Sequence, residues 1–219
     1  MEPALSRTPV EDRAFRAAGV AGLLFAGLLT TSLGLLRFDA ISADDVGSDG
    51  LVRVSQAGAI AIYLIPFAGI AFLWFLAVLR RRIGRGEDQF FATVFLGSGL
   101  LFIAMLFAAG ATAGAAVAAG RFSSQSSATA AVELAGALAG TLFYVFAIKM
   151  AAVFMLVSST IGRRTGFLPR WFIVVGMFSA AVMLLSVSFF EPLALIFPAW
   201  VAIVSILLLR AHPDTWDRT

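Results

Sequence analysis

Cysteine is absent from the chain, which excludes disulfides, thiolate metal sites and thiol nucleophiles together. Histidine occurs once, at His212 beyond the last apolar run, so bis-histidine haem ligation inside a helix bundle is excluded too. No HExxH motif, Ser/His pair or paired aspartates fall within the apolar runs, so intramembrane hydrolysis has no machinery. We therefore assign no catalytic, metal or cofactor residues and expect a non-enzymatic protein. Charge is scarce as well, at 13% of residues, against about 25% in a typical soluble chain. What fills the space is apolar: 60% of residues are hydrophobic and the mean hydropathy is +0.95. A soluble fold of this length could not hide so much apolar surface, so a lipid bilayer is the expected solvent and first partner. A net charge of +3 and a pI near 10.2 do not point to nucleic acid. The arginines are spread over short segments between apolar runs, the pattern of topology signals, and no nucleic-acid partner is expected.

The charge-free runs mark the elements. They predict an all-α, six-helix transmembrane bundle with short loops, a single domain over 1–219. The expected spans are approximately 15–36, 56–80, 89–118, 130–160, 171–188 and 192–210. The last two are separated by Phe189-Phe190-Glu191-Pro192, where Pro192 suits the first position of a new helix. Twelve arginines fall before span one, between spans two and three, between four and five, or after six, and three fall on the alternate side. That asymmetry predicts both termini in the cytoplasm. The first run, at about 20 residues, is too long for a cleavable signal and reads as an anchor that stays.

Three features within this frame invite a functional reading. Gly110-Ala-Thr-Ala-Gly114 and Gly136-Ala-Leu-Ala-Gly140 are small-xxx-small pairs in neighbouring spans. They are expected to let spans three and four pack closely, with a homodimer face as the alternative. The acidic stretch Asp44-Asp45-Val46-Gly47-Ser48-Asp49-Gly50 has part of a calcium-loop pattern. Gly47 stands where a ligand is needed and Gln56 where the bidentate glutamate belongs, so it reads as a solvated loop.

The third feature is the only lysine, Lys149, which sits inside an apolar run fourteen residues before Arg163. That is about 21 Å along a helix, beyond the reach of a lysine stem, so the amine is expected near mid-membrane. A charged side chain there costs roughly 2.5–3.5 kcal/mol, so protein groups should face it. Glu133 is too far along the same helix. Pro66, at the same depth, frees the Ile62 carbonyl beside Tyr63, and Pro198 frees the Ala194 carbonyl. The expectation is therefore a polar spot of Lys149, Tyr63, Ile62, Pro66 and Pro198 joining spans two, four and six.

Lys149 through Trp171 ends in Thr165-Gly166-Phe167-Leu168-Pro169-Arg170-Trp171, followed later by Phe197-Pro198-Ala199-Trp200. This stretch, roughly the last 80 residues, resembles a group of small multi-pass integral membrane proteins of actinobacteria with a TG-x-LP-RW hairpin. The resemblance implies placement in a bacterial inner membrane and carries over no activity and no functional residue. The leading functional expectation is an accessory, scaffold or lipid-interacting subunit, with other membrane proteins or a second copy as further candidate partners. The alternative is a small transporter or channel with its polar site around Lys149.

Overall fold

A computed structural model describes residues 9–45, 56–83, 89–122, 125–166, 168–186 and 192–210. The acidic loop 46–55 lies outside the described residues. The helices are α1 (Pro9–Asp45), α2 (Gln56–Ile83), α3 (Gln89–Phe122), α4 (Gln125–Gly140), α5 (Ile148–Thr165), α6 (Arg170–Leu185) and α7 (Leu193–Arg210). α4 and α5 are halves of one rod, joined without a break by a π-helical turn over Thr141–Ala147. The bundle therefore has six helices, and no strand occurs among the described residues. Five of the six are long and apolar enough to cross a membrane, and α6, with 16 residues, is the short one.

Each helix turns a regular stripe inward. In α1 this stripe is Ala18, Ala21, Phe25, Leu29 and Ser32, and in α7 it is Phe197, Trp200, Val201, Val204 and Leu208. Steps of three and four are the signature of a helix with one face packed. The opposite faces carry large apolar side chains outward, among them Phe67, Trp74, Trp171, Val174 and Phe178. In water such a surface would aggregate; in hydrocarbon it is the ordinary lipid-facing side.

Lipid supplies no hydrophobic drive between helices, so close packing must hold them. A knot of aromatic rings does so here. Phe72 of α2 stands with its ring centre 4.8 Å from Phe25 of α1, 5.3 Å from Phe102 of α3 and 5.4 Å from Phe154 of α5. Phe197 of α7 lies 4.7 Å from Phe102 and 5.6 Å from Phe72. Trp200 continues the chain of rings by stacking on Phe172 of α6 at 5.9 Å. All six helices meet through this network, mostly by tilted and edge-on contacts that suit the ring quadrupoles. The centre of the bundle is a packed aromatic core.

Small residues bring backbones together at the edges of the knot. A Cβ on Gly22 would fall 2.0 Å from the Ser205 hydroxyl, so α1 and α7 approach as closely as glycine permits. Gly176 is enclosed in the same way by Ser159 Oγ and Trp200 Nε1, two polar atoms with no hydrogen-bond partner among the described residues.

The hairpin between α5 and α6 is built as its residues predict. Gly166 ends α5 in the left-handed region at φ 65°, which a glycine adopts without strain. Leu168 folds back onto Gly162, and the Pro169 carbonyl accepts from the backbone N–H groups of Phe172 and Ile173 at 3.0 and 3.2 Å to start α6. At the same end Arg164 lies over the Phe91 ring at 4.4 Å, tying α5 to the start of α3. The alternating up and down course of the helices gathers Arg16, Arg80, Arg163, Arg164, Arg170 and Arg210 at this one end of the bundle.

Candidate functional site

Lys149 lies one residue past the start of α5, in the turn that follows the π segment. There the Ile148 N–H donates to the Phe143 carbonyl five residues back, so the turn holds one residue more than an α-helix allows. The amine points across to α6. Lys149 Nζ donates to the Met183 carbonyl at 2.8 Å and also to the Ser186 carbonyl. These acceptors are at the carboxyl end of α6, where the last carbonyls of a helix lack partners and carry its negative pole. Of the terminal groups, the Val182 carbonyl is taken by the Ser186 N–H at 2.9 Å. Lys149 thus brings a donor to the Met183 carbonyl at this helix end.

This arrangement corrects the expected polar spot. The depth of Lys149 agrees with its new partners, because Met183 stands thirteen residues from Arg170, about 20 Å up α6. The direction differs. Tyr63 is 76% exposed on the outer face of α2, and Pro66 beside it is exposed as well. Ile62 packs toward Gly114 of α3, and Pro198 is buried in α7. Neither the Tyr63 hydroxyl nor a carbonyl freed by proline meets Lys149. Spacing along a helix fixes depth and leaves the facing direction open. The acceptors that sequence reasoning missed are backbone atoms, whose signal is only the early end of α6 at Leu185, three residues short of the expected 188.

The two glycine motifs also separate. Gly110 and Gly114 face α2, where a Cβ would meet Ile65 at 3.2 Å and Ile62 at 3.8 Å. A Cβ on Gly136 or Gly140 would meet nothing within 4 Å. The close packing of α3 on α4 therefore does not run through opposed glycines, because α3 turns its own pair toward α2.

The short α6–α7 hairpin has a further result. Gly19 of α1 meets Leu209 and Gly22 meets Ser205. Continuing that antiparallel register puts Leu33 opposite the first turn of α7, where α7 begins. Among the described residues, α6 contributes nothing to the lining of the space between α1 and the α4 rod, and α7 contributes only Ala194 and Leu195. A cavity of about 330 Å³ occupies it, near the lower end of the ~300–1,000 Å³ usual for small-molecule pockets. Its walls are α1 from Leu29 to Arg37, α3 from Leu106 to Ala113, and Ala139 to Tyr144 of the α4 rod. Ile65 of α2 and Ala194 and Leu195 of α7 complete the lining.

The lining is mainly apolar. Its polar members are Thr30, Ser32, Arg37 and Tyr144. Ser32 is fully buried and donates to the Ala61 carbonyl at 2.7 Å, which joins α1 to α2 at the wall. The π turn brings Phe143 and Tyr144 into the lining. One helical turn toward the arginine-rich end from Leu29 and Leu106 stand Phe25 and Phe102 of the aromatic knot. Lys149 is not among the lining residues of the cavity. No group of three or more metal-ligating side chains occurs among the described residues.

Comparison with known protein families, with curated proteins and with solved structures gave no match to this chain.

Proposed function

We propose that this multi-pass membrane protein is a lipid-interacting, non-catalytic component of a bacterial inner membrane, holding an apolar guest from the bilayer in the cavity between α1 and the α4 rod. The observation that carries the reading is the cavity itself: about 330 Å³, mostly apolar, and bounded toward the bundle centre by the buried Leu29, Ile65 and Leu106. A cavity with such walls gains little by holding water and much by holding hydrocarbon. The gathering of six arginines at the other end supports a cytoplasmic position for that end, and with it for both termini. The cavity then belongs to the outer leaflet.

A small transporter or channel around Lys149 is the competing reading. It would need an aqueous path to the amine, whereas the amine is engaged by two carbonyls and the bundle centre is packed with rings.

The test is native mass spectrometry of the purified chain and of Gly140→Leu. Gly140 lines the cavity, has ordinary helical backbone angles (φ −59°, ψ −45°) and leaves open space where a side chain would go. The unaltered protein should keep a bound lipid or fatty molecule under conditions that strip the surrounding annulus, and the variant should lose it. Equal retention, or none in either, overturns the proposal.

A further inference from the structure

The cavity meets the lipid sideways. Among its lining residues Leu29, Ile65 and Leu106 are buried, whereas Thr30 and Gly34 of α1 and Leu195 in the first turn of α7 are exposed. Gly34 also belongs to an exposed stripe of α1 that runs through Val20, Leu24, Gly27 and Thr31 in steps of four and three. Such steps keep residues on one helix face, so the cavity is continuous with the lipid-facing side of α1.

Its depth can be set against the membrane. Leu29 and Arg37 stand thirteen and twenty-one residues beyond Arg16, about 20 and 32 Å along α1. A hydrocarbon layer of about 30 Å gives each leaflet roughly 15 Å. The α1 wall therefore lies within the leaflet opposite the gathered arginines. It spans about 12 Å of that leaflet's chain layer and ends short of the midplane.

We propose that the cavity takes one acyl chain of an intact membrane lipid, entering sideways past Gly34 with the head left in the headgroup layer, and selects it by length. The proposal rests on the lipid-holding reading above and adds the class of guest and the basis of choice. A volume near the lower limit of small-molecule pockets has room for one chain rather than two. The head is not selected. Arg37 at the outer end of the wall is already engaged within the protein, and Asp39 follows it closely, so the mouth has no single sign of charge. Length is selected because surrounding lipid is as apolar as the cavity, and affinity must come from packing against the walls. A chain of matching length makes those contacts throughout. A longer one must fold back against Leu29, Ile65 and Leu106. Crowding of that kind shifts an equilibrium by about tenfold.

The experiment is native mass spectrometry of the full chain, under conditions that strip the annulus, after equilibration with defined lipids. The probes are didodecanoyl phosphatidylethanolamine, didodecanoyl phosphatidylglycerol, dioctadecenoyl phosphatidylethanolamine and free dodecanoate. The two didodecanoyl lipids should be retained alike, and the dioctadecenoyl lipid about tenfold less. Leu106→Ala opens the inner end and should narrow the difference between chain lengths, and the milder Ile65→Val should act in the same sense. Retention of both chain lengths alike, or a preference between the two heads, would sink the inference and leave the lipid-holding reading standing. Dodecanoate held in preference to every intact lipid would do the same, since the guest would then be a free acid. A length preference unchanged in both variants would place the chain elsewhere and end the proposal. Retention of no probe would sink both readings.

Discussion

Replacing Lys149 with methionine removes the two bonds that hold the carboxyl end of α6 and keeps a side chain of similar length. Two opposing terms govern the outcome. Loss of the amine removes the donor that Lys149 brings to the Met183 and Ser186 carbonyls, at about 1–3 kcal/mol for each hydrogen bond lost in part-buried surroundings. Against this, the variant no longer carries a lysine into apolar surroundings, a burden of roughly 2.5–3.5 kcal/mol at a helix centre. In global unfolding these terms largely cancel, so a melting curve is a poor readout. Local opening is different. When the last turn of α6 lifts away in the unaltered protein, both the carbonyls and the amine lose their partners. In Lys149→Met there are no such bonds to break. An easing of local opening by about 2 kcal/mol corresponds to about a thirtyfold rise in the open population. Because the chain has no cysteine, a single thiol introduced by Ser186→Cys reports that opening without background. The substitution keeps the backbone carbonyl that Lys149 uses. Labelling by a small maleimide should be about thirtyfold faster when Lys149→Met is added. An unchanged labelling rate would refute the assignment of Lys149 as the cap of α6.

Two further outcomes test the packing. Phe72→Ala removes the ring that touches Phe25, Phe75, Phe102, Phe154 and Phe197. It should destabilise by about 3–5 kcal/mol in a reversible unfolding titration, while Phe178→Ala on the 70% exposed face of α6 should change little. Gly176→Leu would place a Cβ 2.6 Å from Ser159 Oγ and 2.8 Å from Trp200 Nε1, forcing α6 away from α5 and α7. A loss of about 1–3 kcal/mol is expected, and an unaltered melting temperature would contradict the close approach.

The elements were legible because hydrocarbon imposes a simple rule: runs without charge must be helices. The span expected over 56–80 became α2, and Gly166 and Pro169 marked the α5–α6 turn through their backbone preferences. Ends were less legible, since α1 continues to Asp45 and the α4 rod begins at Gln125, past the apolar limits. A helix started in lipid does not stop where apolar residues stop. Facing directions were the weakest point. Gly110 looked able to meet α4 because alanine and glycine lie on several faces of both helices, and the Ile65 contact decided otherwise. The π turn at Thr141–Ala147 contains neither proline nor glycine, and nothing in Thr-Leu-Phe-Tyr-Val-Phe-Ala marks it. The cavity follows from where α7 begins relative to α1, a relation between distant segments. Its members Thr30, Ser32, Arg37 and Tyr144 therefore carried no pattern of their own beyond the placement of Arg37 among the few arginines on the sparse side.

The brevity of α6 also acts on the membrane around the protein. Sixteen residues rise about 24 Å, whereas a bilayer's hydrocarbon layer is about 30 Å thick. Its outward residues Trp171, Val174, Phe178 and Leu185 are exposed, so no neighbouring helix hides the shortfall from lipid. Acyl chains bordering α6 must compress or be replaced by shorter ones, at fractions of a kcal/mol per Å of mismatch. One flank of the protein is thereby suited to thin bilayer while α2 and α3 suit thick. An asymmetric boundary of this kind enriches short-chain lipids along a single side and biases how the protein orients toward neighbours sharing the same thinned patch.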